Sequence, residues 1–214
     1  MKRILAKHKM VWTQKGFVLS VLFSLLLLAL SFGVNYVTGT YASRSASNSV
    51  TDILLDHLPV MDVDFIFIQG FAFFVLFVFG LMLYEPKSMP FVLKSLALFI
   101  FVRAMFMSLT HIGPFPEQAP MESYRIVNLV NFTGDLFFSG HTGGPFLLAL
   151  IFWRQKYVRL AFLIMCGLFA VAVLLGHYHY SIDVFAAFFI TYTIYQIAIK
   201  FFSKDYKLFL SENI

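Results

Sequence analysis

GFVLSVLFSLLLLALSFGVNYVT fills residues 16–38 without one charged side chain. A helix needs roughly 20 mostly apolar residues to cross a hydrocarbon layer about 30 Å thick, and this stretch meets that length. Basic residues precede it and small residues follow it, as in a secretory signal. Its apolar run is nevertheless longer than the roughly 7–15 residues of such a signal. It therefore reads as a retained membrane anchor.

Working outward, five further segments have the same character: about 64–84, 90–110, 136–153, 159–177 and 180–202. The 214-residue chain is 60% apolar and only 13% charged, with 28 phenylalanines. A soluble domain carries about a quarter charged residues, so these side chains are expected to face lipid. The sequence predicts an all-α fold, an integral membrane six-helix bundle. It divides into a basic N-terminal segment (1–15), a six-span catalytic body (16–202) and a short tail (203–214). A Ser/Ala-rich patch at 42–49 reads as a flexible loop. The single Cys166 lies in an apolar run and is expected to pack, with no internal disulfide. Asn131-Phe-Thr133 fits a glycosylation sequon but abuts a span, and is read as a chance match.

Charge placement orients the bundle, because cytoplasmic loops collect Lys and Arg. With both termini cytoplasmic, thirteen basic residues fall inside: Lys2, Arg3, Lys7, Lys9, Lys15, Lys87, Lys94, Arg154, Lys156, Arg159, Lys200, Lys204 and Lys207. Only Arg44 and Arg125 fall in outer loops, and Arg103 lies within the third span. The net charge of +5 is thus a topology signal and a contact for anionic headgroups, not a nucleic-acid surface. Lys94, near the cytoplasmic end of its span, is expected to snorkel. Most acidic residues and five of the six histidines fall on the outer side. The chemistry is expected there.

Two outer motifs carry it. Gly134-Asp135-Leu136-Phe137-Phe138-Ser139-Gly140-His141-Thr142 opens the fourth span, and Gly176-His177-Tyr178-His179-Tyr180-Ser181-Ile182-Asp183 joins the fifth to the sixth. His179 and Asp183 are four residues apart, which puts them on one helical face. A carboxylate there can accept from one imidazole nitrogen and leave the other aimed and basic. Two histidines and a carboxylate suit phosphoryl transfer. One imidazole can attack phosphorus, and the other can protonate the leaving oxygen and deprotonate the acceptor. Ser139, Gly140 and adjoining amides at a helix N-terminus can favour the phosphate oxygens.

Two other readings stay open at this point. The polar residues could simply cap helices. His and Asp are also zinc ligands, although His177, His179 and Asp183 do not share one helical face and no HExxH or Cys pair occurs.

At these residues the chain resembles the sphingomyelin synthase branch of the type 2 phosphatidic acid phosphatase superfamily. Gly134-Asp135 with Ser139-Gly140-His141-Thr142 matches that branch's first histidine motif. His179-Tyr180-Ser181-Ile182-Asp183 matches its H-Y-[T/S]-x-D motif, and His177 resembles a polar residue found two positions earlier. Leu58-Pro59 with Asp62, and Arg103 with Thr110 and Pro114, are weaker likenesses. The resemblance runs from about 53 to 195. It implies a six-helix fold, no metal or other cofactor, and ping-pong transfer with His179 as nucleophile, Asp183 orienting it, and His141 as general acid/base. It also implies a substrate site among Ser139, Gly140, Thr142, Asp135, Arg103, His177 and Tyr180.

The chain lacks the superfamily's K-x6-R-P, and Val173 stands where an Arg would precede the second His by six residues. That favours the synthase-like branch and leaves Arg103 as the foremost candidate cation for phosphate, its alternative being a structural pairing with an acid such as Asp135. The expected partners are a phospholipid donor, a lipid or water acceptor, and the bilayer. Transferase and phosphatase use the same histidines, and a non-catalytic lipid-binding protein is the third reading. The small body resembles prokaryotic members, so the expected location is a bacterial inner membrane with the site facing outward.

Overall fold

Pro86 and Pro90 mark where the chain turns back into the protein's most buried long helix, around which the others are arranged. The computed structural model describes residues 2–120 and 136–211. Asp135, together with Glu122, Arg125 and the Asn131 sequon, lies outside the described residues.

The helices are α1 (Lys2–Trp12), α2 (Lys15–Ser45), α3 (Phe71–Tyr84), α4 (Met89–Leu109), α5 (Gly140–Ile151), α6 (Lys156–Leu175), α7 (Ser181–Phe201) and α8 (Ser203–Leu210). A π-helical turn, Phe65–Gly70, runs into α3, and a 3₁₀ turn, Pro86–Ser88, leads into α4. Pro is at home in both first turns, where its missing N–H has no intrahelical partner to lose. Among the described residues no strand occurs.

Among the described residues, five helices are long and apolar enough to cross a membrane: Lys15–Ser45, Phe65–Tyr84, Pro86–Leu109, Lys156–Leu175 and Ser181–Phe201. They correspond to five of the six predicted spans. The remaining one, at 136–153, contracts to the 12 residues of α5. Residues 136–139 are not helical, Gly140 opens the helix, and it stops at Ile151. At 1.5 Å per residue α5 is only about 18 Å long.

α2 packs along α4, α4 also meets α5 and α7, and α5 lies against α6 and α7. Buried residues of α2 recur on one face as Phe17, Val21, Ser24 and Ser31, while Leu22, Leu26 and Leu30 stay exposed. α6 and α7 likewise expose Leu160, Ile164, Leu168, Phe185 and Phe189. Such continuous apolar belts suit lipid and not water.

Two expectations need correction. Lys94 does not snorkel. It is 6% exposed, and its Nζ reaches Asp205 Oδ2 of α8 at 2.6 Å and Ser20 Oγ of α2 at 2.7 Å. A buried ammonium needs a partner more than it needs water, and the tail supplies one. The 42–49 patch is not simply a loop, since α2 continues to Ser45 with Ala42 buried. Beyond it, Ser47 N–H donates to His111 O at 2.8 Å and Gly113 N–H to Asn48 O at 3.1 Å. A Cβ on Gly113 would sit 2.2 Å from Ser47 O, so only glycine permits this backbone approach.

α1 and α8 both pack on the α3–α4 connection. Lys7 pairs with Glu85, His8 Nε2 donates to Leu83 O at 2.7 Å, and Lys87 Nζ reaches Ser211 Oγ at 3.2 Å. The two termini therefore share one end of the bundle, opposite the histidine motifs.

Candidate active site

The segment between α6 and α7 doubles back before the last helix begins. α6 ends in Leu175 with Gly176 as its cap, and His177 then takes a left-handed backbone, φ 55°. That reversal brings the N–H groups of Tyr178 and His179 onto Val173 O, at 2.9 and 3.4 Å. α7 therefore starts below the tip of α6. α5 and α6 are joined by residues 152–155, and α6 is eight residues longer. It consequently rises about 12 Å past the start of α5. Both histidine motifs lie in this recess.

A backbone hydrogen bond joins them: Ser139 N–H donates to Asp183 O at 3.0 Å. On the α7 side, His179 Nδ1 donates to Asp183 Oδ2 at 3.2 Å, and Tyr180 N–H donates to the same oxygen at 3.1 Å. Asp183 is fully buried and His179 is 6% exposed. The Nδ1–H bond leaves Nε2 as the nitrogen with the lone pair. On the α5 side, Ser139 caps the helix, its Oγ accepting from Thr142 N–H at 3.4 Å. Thr142 is buried, and its carbonyl accepts from Cys166 Sγ at 3.3 Å.

His141 occupies the first turn of α5. Its ring stacks on Phe67, centroids 4.0 Å apart and planes 22° from parallel. Phe71 at 4.5 Å and the edge of Phe169 at 5.8 Å complete an aromatic wall. Pro145 stands four residues on and brings no N–H to the His141 carbonyl. Arg103, from α4, donates from Nε to Phe138 O at 3.2 Å and passes so close to Gly140 that a Cβ there would be 3.2 Å from Nε. The guanidinium thus lies beside the Ser139–His141 turn.

His177 and Tyr180 face elsewhere. His177 Nδ1 donates to Glu117 O at 3.0 Å, its ring meets the edge of Phe115, and its buried Nε2 has no hydrogen-bond partner among the described residues. Tyr180 Oη donates to Gly113 O at 2.9 Å and accepts from Val50 N–H at 3.2 Å. Burial, with the Asp183 and Asp52 charges, pushes its phenol up. Tyr178 is pushed up by burial and by Asp64, to which it donates at 3.4 Å. These three side chains tie together the loops at this end of the bundle.

Asp52 has a role that its sequence position does not announce. Its Oδ2 accepts from Ser181 N–H at 2.6 Å, and its Oδ1 accepts from Leu54 and Leu55 N–H at 2.9 and 3.2 Å. Burial opposes its charge, but the bonds from Ser181, Leu55 and Leu54 outweigh that and hold the carboxyl below its ordinary value. The 46–63 segment is thereby tied to the first residue of α7, where a carboxylate also complements the helix dipole. Phe67, Phe71 and Phe169 are likewise additions: among 28 phenylalanines, nothing in the sequence singles them out. Among the described residues no group of three or more His, Cys, Asp or Glu side chains is placed to hold a metal ion.

No curated protein and no solved structure matches the chain. Residues 133–200, which contain both histidine motifs, are similar to the family described as PAP2 superfamily C-terminal.

Proposed function

We propose that this protein is an integral membrane enzyme that moves a phosphate or phospho-headgroup from a lipid donor to a hydroxyl acceptor through a phosphohistidine, in the manner of the sphingomyelin synthase-like branch. In this reading α5 completes a sixth pass, both termini are cytoplasmic, and the site faces outward from a bacterial inner membrane. The observation that carries the reading is the Ser139–Asp183 backbone bond, which unites the two histidine motifs in one recess. The family match over the same residues supports it.

The chemistry follows from the bond pattern. With Nδ1–H committed to Asp183, His179 Nε2 attacks phosphorus while the lipid's ester O–P bond breaks, and His141 gives its proton to the leaving oxygen. In the second half His141 takes the proton of the acceptor hydroxyl. That oxygen attacks phosphorus, and the N–P bond returns its electron pair to His179. Arg103 and the amides at the start of α5 stabilise the charge on the phosphoryl oxygens. The acceptor, water or a second lipid hydroxyl, separates phosphatase from transferase without changing these roles.

Purified protein given labelled phospholipids, with and without diacylglycerol or ceramide, tests the proposal. Free phosphate identifies a phosphatase and a new phospholipid a transferase. Neither product across a broad lipid panel, with His179→Ala silent in cells, overturns it.

A further inference from the structure

A π-helical turn is energetically poorer than an α-turn, and single ones inside helices mark functional sites. The turn at Phe65–Gly70 sits at the outer end of α3 and faces the first histidine motif. Phe67 is its one buried residue. Its ring is held between Tyr178, 4.7 Å away, and His141, 4.0 Å away and nearly parallel. Phe67 therefore meets the His141 imidazole by its ring face.

Phe67, within the turn, and Phe71, which follows it, both reach the one ring. Gly70 has its own part, because a Cβ there would stand 3.2 Å from the Phe169 ring, the third wall of the cage. Tyr178 closes the column from the α6–α7 segment, which also carries His179.

We infer that the π-turn Phe65–Gly70 is a positioning device for His141, with the face of the Phe67 ring fixing the tilt of the imidazole. The inference rests on the proposed function in giving His141 a proton-transfer role. Phe67 itself is a positioning residue and touches no reacting atom. A face-stacked ring cannot tilt freely, so its nitrogens keep one direction. This is what a group that must first give and then take one proton requires.

The test uses the full chain in detergent and two readouts. Phe67→Leu keeps apolar bulk and removes the stacking face, and Phe67→Tyr restores the face. With phosphatidic acid in mixed micelles, Phe67→Leu should lower kcat by about 10–100-fold, the scale of a small misplacement of a reacting group. KM should stay near the wild-type value, and Phe67→Tyr should recover most of kcat. The second readout needs no turnover: diethylpyrocarbonate labelling of His141, followed by mass spectrometry. Labelling should rise severalfold in Phe67→Leu and not in Phe67→Tyr, with His179 labelling and the melting temperature unchanged. Equal labelling of His141 in all three proteins overturns the inference. If the wild type shows no activity on any lipid, the proposed function fails while the labelling comparison still decides this one. Should Phe67→Leu not fold, Phe67→Met gives the same comparison with a more adaptable side chain.

Discussion

The amide of Ser139 and the carbonyl of Asp183 are 3.0 Å apart, so the first turn of α5 and the first turn of α7 are fixed at one depth. Ser139 leads directly to His141, and Asp183 holds His179. A change at either end of this bond is transmitted to the histidine on the other side without passing through a loop.

Asp183→Ala should therefore affect both chemistry and folding. The His179 ring loses its orienting acceptor, and activity should fall by about 10²–10⁴-fold, as when an orienting carboxylate is removed from a triad. Tyr180 N–H, left buried without Oδ2, should cost about 1–3 kcal/mol. Kinetics and denaturant unfolding of the same preparation separate the two effects. Acid-labile phosphate trapped on wild type should be absent from His179→Ala; if it remains there, the nucleophile is assigned to the wrong residue.

The Asp52 carboxyl titrates lower in the folded chain than in the unfolded one. Its stabilising bonds to Ser181, Leu54 and Leu55 are thus fully present above the ordinary carboxylate value of about 4. They are lost as pH falls below that value toward the depressed one. The melting-temperature gap between wild type and Asp52→Asn should be constant near neutrality and close in acid. A gap that widens on acidification contradicts the assignment.

Lys94 and Asp205 form a buried pair between α4 and α8, with Ser20 on the same ammonium. Asp205→Ala strands the lysine and should cost about 3–5 kcal/mol, whereas Lys94→Met with Asp205→Leu should restore most of the loss. Reversible unfolding in mixed micelles measures both. Equal destabilisation by the single and double variants would argue against a stranded charge.

Gly143 lies where α5 meets α4 and α7, and a Cβ there would be 2.8 Å from the Phe99 ring and 2.8 Å from Thr191 Oγ1. Gly143→Ala should destabilise by about 1–3 kcal/mol through overpacking. Gly167→Ala is the control, because its Cβ would meet nothing within 4 Å.

The spans were legible because apolar length is additive along the chain: the uncharged run at 16–38 needs no partner to be recognised. The i, i+4 spacing likewise made the His179–Asp183 contact legible, since helical geometry alone brings those side chains together. α5 was misjudged in length because its apolar flank, Leu136 to Phe138, reads as helix while Ser139 caps later. Lys94 was misread because its partner, Asp205, is 111 residues away, and pairing at that distance leaves no local signal. The Phe67 contact was illegible for a similar reason. It joins residues 67 and 141, and packing across that separation leaves no local signal.

The eight-residue difference between α5 and α6 has a consequence for any lipid that reaches the histidines. In the proposed reaction a phosphodiester starts at the water boundary, yet the first turn of α5, which carries His141, lies about 12 Å beneath the crest of α6. The donor must sink into the protein, or the leaflet must dimple to lower it. Either movement has a mechanical cost that depends on acyl-chain length. Bilayer thickness then acts as a variable of the reaction, with short-chain leaflets lowering the step that precedes chemistry.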